Sequence, residues 1–341
     1  QNLITYILIY MKIAGKFPNI RLRRVRNSPW MRKLVSENNL SINDLILPIF
    51  IRDGKNKIEG IKSMPGVNRY SVDKLHVIMN KAQKYKIPMV ALFPYTKKNK
   101  KDKFGTEALN ANNLVCKSLK FIKKRYSGIG VMCDVALDPY TSHGHDGVIT
   151  NKKIDNDKTI KILIKQALLQ AEMGCNVIAP SDMMDGRVGA IRKALDKRNF
   201  QDVSILSYAA KYASNFYGPF RDAVGSKINL KSDKKTYQMD FRNSNEAFRE
   251  IALDIKEGAD IVMIKPGLPY LDIIKSIKDN FKIPVFAYQV SGEYSLIKNG
   301  IKNKLINDEA ILESLMAFKR AGASAIITYF ALDIAKKIKK S

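Results

Sequence analysis

The chain has 341 residues, of which 45% are apolar and 9% aromatic, so it can form one large domain or two ordinary ones and is not a disordered protein. Its formal charge is +27, from 59 Lys and Arg residues against 32 Asp and Glu residues. The basic residues are spread over many short runs, which favours an anionic substrate over a nucleic-acid partner.

The first forty residues differ from the rest. The apolar start at 3–10 is a poor signal peptide, and no apolar run in the chain reaches the ~20 residues of a membrane span. Residues 11–35 are basic and interrupted by Pro18 and Pro29. We expect residues 1–40 to form an extended arm that packs on another subunit, with a frayed terminus as the alternative, and no membrane partner.

From residue 45 onward, apolar runs typical of buried strands alternate with segments of helical period. Among the helices, 159–173, 243–256 and 308–320 are the clearest, and each is followed by glycine. Alternation of this kind predicts a parallel sheet, either an open doubly wound sheet or a closed barrel. Eight strands, and no glycine-rich phosphate loop after the first, favour an α/β fold of the (β/α)8 TIM-barrel type over residues 41–341. The predicted strands are 45–50, 89–93, 129–133, 176–179, 203–208, 260–264, 284–288 and 325–328.

Cysteine usage suggests the compartment. Cys116, Cys133 and Cys175 form no CxxC pair and no even framework. Such cysteines are typical of a reducing environment, so we expect a cytoplasmic protein.

Two lysines lie at the carboxyl ends of predicted strands, Lys211 after the fifth and Lys265 after the sixth. If these strands are neighbours, they are roughly 5 Å apart and both amines share one mouth of the barrel. Burial and like charge both favour a neutral amine, which can attack a carbonyl to form a Schiff base. A single lysine at a strand end more often extends to solvent. The matched pair favours chemistry.

Other polar segments leave the strands at the same end. The loop 134–147 carries three aspartates and two histidines, which can bind a hard ion such as Mg²⁺ or move protons, although polar side chains that cap turns would look alike. Gly218 and Pro219 are predicted to end regular structure. The long loop predicted at 217–237 suggests a lid over the mouth.

Seven short motifs lie between residues 17 and 329. They are FPxxRLRR at 17–24, DPYTSHGHDG at 138–147, APSDMMDGR at 179–187, AKYASxFYGPFRDA at 210–223, YQMD at 237–240, KPGxPYLDI at 265–273 and AYQVSGEY at 287–294. Together they resemble the delta-aminolevulinic acid dehydratase family, also called porphobilinogen synthases. The resemblance implies a lyase that condenses and dehydrates two molecules of 5-aminolevulinate to porphobilinogen in tetrapyrrole (heme) biosynthesis.

The resemblance implies catalytic roles for four residues. Lys211 and Lys265 match the family lysines that hold the two substrates as Schiff bases, in agreement with their placement at strand ends. Asp134 and Ser181 match polar residues beside these lysines, where proton transfers would occur.

It also implies two clamps for the substrate carboxylates. One maps to Arg221 with the lid residue Lys234, and Gln238 lies just beyond it. The other maps to Ser291 and Tyr329. Many relatives have arginine at position 234, and lysine cannot supply the same bidentate fork.

The metal site departs from part of the family. Zinc-dependent members have three cysteines where this chain has Ala136, Asp138 and Asp146, so the resemblance implies Mg²⁺, no zinc and no organic cofactor. The family's magnesium site maps to Glu250, with Asp182 as an acceptor for the ion's waters. The resemblance further implies an allosteric homo-octamer assembled by exchange of N-terminal arms, in equilibrium with smaller forms.

Two other functions remain to be separated from this one. A class I aldolase on the same fold would need only one Schiff-base lysine. A basic nucleic-acid-binding protein would bind with a steep dependence on salt.

Overall fold

The structure, a computed structural model, describes residues 15–225 and 233–339. The chain divides into two units, Gln1–Asn39 and Leu40–Ser341. That the first unit is an intersubunit arm stays a prediction, and the part of it at 1–14 lies outside the described residues.

The described part of the first unit contains a 3₁₀ helix, Leu22–Arg26, and a short α-helix, α1, Pro29–Leu34. The expectation of extended chain is wrong for these two stretches. Pro29 is at the first position of α1, where a missing N–H costs nothing because no carbonyl in the helix needs it.

The second unit is a closed barrel of parallel strands, as predicted. Each strand pairs in parallel with the next in the chain, and the last pairs with the first. Their apolar runs are buried on both faces, as in Leu45–Arg52, where seven of eight residues are buried. Within the described residues the eight barrel strands are β1 Leu45–Arg52, β2 Met89–Tyr95, β3 Gly130–Val135, β4 Val177–Pro180, β5 Ser204–Lys211, β6 Ile261–Lys265, β7 Val285–Gln289 and β8 Ala325–Thr328.

Helices cover the outside of the barrel. The three helices expected from periodicity are present with ends shifted by a few residues. Gly322 ends the helix Glu309–Ala321 in the left-handed conformation that favours glycine. The α-helices among the described residues of this unit are α2 Leu75–Lys84, α3 Leu114–Arg125, α4 Asn156–Glu172, α5 Arg187–Lys197, α6 Gly218–Ala223, α7 Asn245–Lys256, α8 Leu271–Asn280, α9 Ser291–Lys302, α10 Glu309–Ala321 and α11 Ala331–Ile338.

Two hairpins extend this frame. Strand Asn68–Ser71 pairs in parallel with the end of β1 and antiparallel with Ile58–Gly60. In the loop after β3, Ile149–Thr150 pairs with Lys153–Ile154. None of the helices in the described residues has both the length and the apolar character needed to cross a bilayer.

The predicted lid region begins with α6, which contradicts the expectation that Gly218 and Pro219 end regular structure. Pro219 instead lies in the first turn of the helix, where its fixed φ is already helical. Residues 226–232 of the predicted lid lie outside the described residues, so its action as a lid stays a prediction.

Candidate active site

The two strand-end lysines are adjacent at the carboxyl end of the barrel. β5 and β6 are paired so that Lys211 is the direct partner of Lys265. Both side chains are buried, with 5% and 6% of their residue surfaces exposed. The sequence-based prediction of neighbouring strands and a shared mouth is therefore confirmed.

Lys265 lies in a cage of aromatic rings and, within the described residues, its Nζ makes no hydrogen bond or ion pair. The faces of these rings attract a cation, but the rings also exclude water. Burial, followed by the charge of Lys211, lowers the pKa of Lys265 to about 7, although Asp134 opposes the shift. A large fraction of Lys265 is thus a neutral amine near pH 7. The ring centroids lie 4.7 Å (Tyr288), 5.0 Å (Tyr208), 5.1 Å (Phe220) and 5.5 Å (Tyr217) from Nζ.

Lys211 has polar partners instead. Its Nζ donates to Asp146 Oδ1 at 3.2 Å and to the backbone carbonyl oxygen of Ser181. Ser181 follows β4, so the loop after one strand holds the lysine of the next. The two lysines therefore have different surroundings: one is paired with a carboxylate and the other is caged by aromatic rings.

Two aspartates from the loop after β3 meet Lys234. Its Nζ is 2.6 Å from Asp146 Oδ2 and 3.4 Å from Asp138 Oδ2. Burial alone would raise the pKa of Asp146, but Lys211 and Lys234 hold it well below its usual range. The carboxylates of Asp138 and Asp146 are thus paired with lysine side chains.

Asp134, on β3, is directed toward the same mouth. Burial raises the pKa of Asp134 to about 6, while Lys211 and Lys265 oppose the shift and a hydrogen bond with the Ser181 side chain lowers it. Its Oδ1 is buried and has no hydrogen-bond partner among the described residues. A carboxyl group that titrates near neutrality beside two amines can take up or release a proton during turnover.

Ser291 and Tyr329 lie on the other side of the Lys265 cage. The Ser291 hydroxyl accepts a hydrogen bond from Phe220 N–H at 2.8 Å, and the Tyr329 hydroxyl is 3.0 Å from that of Tyr288. Phe220 and Tyr288 are both walls of the cage, so the two predicted clamp residues are brought beside Lys265.

Gly292, the second residue of α9, allows the start of this helix to lie close to the backbone at Phe216. A Cβ at Gly292 would lie 2.4 Å from the carbonyl oxygen of Phe216, so a larger residue would push the first turn of α9 away from the mouth.

The residues of the other predicted clamp, Arg221, Lys234 and Gln238, have fewer direct contacts with the lysine pair than Ser291 and Tyr329 have with the Lys265 cage. Arg221, on α6, is half-buried, and its positive charge acts on Lys234 and on Tyr217. Gln238 is buried, and its N–H donates to the carbonyl oxygen of Lys234 at 2.9 Å. Its side chain lines a cleft of about 740 Å³ next to the mouth.

Glu250 is not at the mouth. It is on α7, lines the same cleft, and has Oε1 3.3 Å from Nη1 of the buried Arg187. Burial raises the pKa of Glu250, Arg187 opposes this, and Asp254 and Asp185 add to it. Asp182 was expected to accept from a metal's waters, but its side chain has no exposed surface and lies 3.8 Å from Arg187. A role for Asp182 toward an ion's waters stays a prediction, and Asp185 is the nearby carboxylate that lines the cleft.

Sequence reasoning gave no role to Tyr237 or Arg187, and it considered His145 only as one member of a loop cluster that could bind an ion or move protons. All three are within recognised motifs, which was the available signal. The Tyr237 hydroxyl donates to Asp146 Oδ2 at 2.9 Å, and Arg187 ion-pairs Asp254 at 3.3 Å. Neither contact can be read from spacing, because the partners are 91 and 67 residues apart.

The fold and the mouth define a class: a (β/α)8-barrel enzyme with two adjacent buried lysines, one caged by aromatic rings. The chain matches the family model described as delta-aminolevulinic acid dehydratase over residues 19–337. It belongs to the delta-aminolevulinic acid dehydratase family and is a lyase.

Individual relatives agree. Delta-aminolevulinic acid dehydratase of Bradyrhizobium diazoefficiens is 57% identical over 321 residues, covering 94% of this chain and 91% of the relative. That of Methanothermus sociabilis is 51% identical, covering 95% and 100%. The crystal structure of the Toxoplasma gondii ME49 enzyme in complex with the reaction product porphobilinogen superposes with a TM-score of 0.92 at 44% identity, covering 94% of this chain and 92% of that one.

Proposed function

We propose that Lys211 and Lys265 each bind one substrate molecule as a Schiff base. The enzyme condenses two molecules of 5-aminolevulinate to porphobilinogen, in tetrapyrrole biosynthesis. The observation that carries the proposed roles is the direct pairing of two buried lysines at the barrel mouth. A class I aldolase would need one such lysine, and the second favours a reaction that joins two carbonyl substrates.

The chemistry starts at Lys265. Its neutral amine adds to the ketone carbon of one substrate to give a carbinolamine, which loses water to become an imine. Asp134, with a pKa of about 6, can donate the proton that makes hydroxide leave as water. Lys211 is paired with Asp146 and must first give up its ammonium proton. Its neutral amine can then add to the second substrate in the same way.

The two substrate carboxylates would be held on opposite sides of the mouth. Ser291 and Tyr329 supply hydroxyl donors next to Lys265. Arg221 and Lys234 supply positive charge on the side of Lys211, with Gln238 behind them. Lys234 would then leave Asp138 and Asp146 for the substrate carboxylate.

We propose that Mg²⁺ binds at Glu250 and that the enzyme uses neither zinc nor an organic cofactor. Mg²⁺ is commonly held by one or two carboxylates and keeps several waters. The Glu250 side chain is 24% exposed, and Asp185 and Glu246 line the same cleft. No group of three or more His, Cys, Asp or Glu side chains in the described residues could hold an ion. The ion would therefore be held largely through its waters, and would supply positive charge that competes with Arg187 for Glu250.

An allosteric homo-octamer in the cytoplasm is also proposed. Exposed apolar side chains in the described part of the first unit support an interface there. Phe17 is 70% exposed, Trp30 60% and Leu34 75%. Three free, buried cysteines support a reducing compartment. Size measurement of the chain and of its Trp30→Ala/Leu34→Ala variant would test the assembly, since a variant of unchanged size would contradict the arm.

The roles of the lysines are tested by borohydride trapping with labelled 5-aminolevulinate. Label on Lys265 and on Lys211 is expected, and label on neither would remove the mechanism. In parallel, Glu250→Gln should weaken the response of turnover to Mg²⁺ and leave trapping intact. Loss of activity on zinc-selective chelation would contradict the reading of Ala136, Asp138 and Asp146.

A further inference from the structure

A continuous chain of hydrogen-bonding groups runs from the cleft beside the barrel mouth to Lys211. His145 Nδ1 is 3.0 Å from the Tyr237 hydroxyl, which donates to Asp146 Oδ2 at 2.9 Å. Asp146 Oδ1 in turn accepts from Lys211 Nζ at 3.2 Å. Asp146 thus uses one oxygen toward the lysine and the other toward the tyrosine, as a carboxylate does when it relays a proton.

The outer end of this chain borders the cleft of about 740 Å³, which His145 and Tyr237 line. Tyr237 is half-buried, whereas His145 is 7% exposed, Lys211 5% and Asp146 1%. The Asp146 N–H also donates to the Tyr237 hydroxyl at 3.3 Å, which fixes the ring against the loop. Lys211 therefore has a hydrogen-bonded connection to the cleft that does not pass through the substrate-binding mouth.

We propose that His145 and Tyr237 are positioning residues that form a proton relay between the cleft and Asp146, and that the relay serves the dehydration of the carbinolamine on Lys211. This rests on the proposed Schiff base at Lys211. The relay gives a function to His145 and Tyr237, which belong neither to the substrate clamps nor to the lysine pair.

The proton balance is as follows. The His145 Nδ1 proton passes to the Tyr237 oxygen, and the Tyr237 hydroxyl proton passes to Asp146 Oδ2. The protonated carboxyl group of Asp146 then turns and gives this proton to the carbinolamine hydroxyl on Lys211. The C–O bond breaks, water leaves, and the nitrogen keeps its own proton, so that the product is a protonated imine. The His145 ring regains one proton from the cleft, so that one proton enters from the cleft for each water that leaves. No oxidant or reductant is needed.

The charges around Asp146 make this transfer depend on substrate. In the free enzyme Lys211 and Lys234 keep Asp146 ionised. When Lys211 becomes a neutral carbinolamine and Lys234 turns to a substrate carboxylate, both cations leave Asp146. Burial, which opposes the charged form, then favours its protonation. The relay is therefore able to deliver a proton only when there is a carbinolamine to receive it.

The relay should appear in the pH dependence of turnover, and the groups facing His145 set its titration. Burial lowers the pKa of His145, Lys234 and His143 lower it further, and Asp146 and Asp138 oppose them. The His143 ring is 5.7 Å from the His145 ring. Charged side chains that also line the cleft are Lys152, Lys153, Asp185, Asp233, Lys235, Glu246 and Glu250.

The test uses the full chain with His145→Gln, His145→Ala and Tyr237→Phe. Glutamine can keep a hydrogen bond to Tyr237 but cannot titrate. A relay predicts that His145→Gln loses activity as His145→Ala does, and a structural role predicts that it does not. The matched control is His76→Ala, an exposed histidine on α2 that bonds only a backbone carbonyl oxygen among the described residues. His143 is the remaining one of the three histidines in the chain, so the variants at positions 76 and 145 leave it as the one histidine that is not substituted.

We expect kcat to fall about 10- to 100-fold in the relay variants, with KM within about two-fold. This loss is at or below the lower end of the range of about 100- to 10,000-fold for groups that transfer a proton directly to substrate, because the relay acts through Asp146. The acidic limb of the kcat profile should flatten in His145→Gln, and added imidazole should restore at least several-fold of the activity of His145→Ala.

Trapping on Lys265 should remain as in the unmodified enzyme, which separates this proposal from the Schiff-base mechanism itself. A His145→Gln variant with kcat within two-fold of His76→Ala would overturn the relay, as would unaltered kcat in Tyr237→Phe. Trapping lost from both lysines of the unmodified enzyme would instead remove the proposed function.

Discussion

Replacing Lys211 by methionine should raise the pKa of Lys265. The pKa of Lys265 is lowered from 10.5 to about 7, first by burial and next by the charge of Lys211. This shift corresponds to about 5 kcal/mol against the ammonium form. Two unit charges about 5–6 Å apart repel by ~3 kcal/mol at an effective dielectric constant of about 20. Part of that is offset by Asp134, so we expect the Lys211→Met variant to recover about 1–2 pKa units.

The assay is the rate of borohydride trapping of 5-aminolevulinate on Lys265 between pH 5.5 and 10, read by mass spectrometry of the labelled peptide. About half of Lys265 is neutral at a pH equal to its pKa, so a rise of 1–2 units lowers the neutral fraction near pH 7 about 5- to 50-fold. Trapping by Lys211→Met should be slow near pH 7 and recover at pH 9. Because only one reactive lysine remains, the profile belongs to Lys265 alone.

Lys211→Arg is the matched control, since arginine keeps the charge and does not form the imine. Its trapping profile should stay near that of the unmodified Lys265. Asp134→Asn should shift the profile in the opposite direction, because Asp134 raises the pKa of Lys265. Coincident profiles for Lys211→Met and Lys211→Arg would refute the argument that adjacent charge helps to keep Lys265 neutral.

Three further predictions concern stability. Between pH 7 and 10.5 Lys265 is protonated in the unfolded chain but mostly neutral in the folded protein, so the free energy of unfolding should rise with pH in this window. In urea titrations the Lys265→Met variant should lack up to about 5 kcal/mol of that rise. Arg187→Met leaves buried carboxylates unpaired and should cost about 3–5 kcal/mol by the same measurement, whereas a cost under 1 kcal/mol would contradict the ion-pair network. Gly292→Ala should cost about 1–3 kcal/mol and reduce turnover, because its Cβ meets the Phe216 carbonyl oxygen at 2.4 Å, while Gly128→Ala, where the space is open, should behave as the unmodified protein.

The sequence alone predicted the barrel because its signals are local. A strand such as β1 needs only its own run of apolar residues, and a helix such as α10 only its own period and a terminal glycine. In a parallel barrel, neighbouring strands in the chain are neighbours in space. The pairing of Lys211 with Lys265 therefore followed from their positions at the ends of two consecutive strands. The motifs then named the family.

Only the tertiary structure decided what surrounds each amine. The ring of Tyr288 beside Lys265, and the contacts of Asp146 with Lys211 and Tyr237, join residues from 23 to 91 positions apart, and no periodicity records such distances. The same holds for Arg187, which looks like any arginine at the start of a helix but is 1% exposed among carboxylates. Burial and the nearest charge set the pKa of a side chain. Both are properties of the folded barrel, so the difference between the two lysines could be expected in kind from the sequence, but its direction and its partners could not.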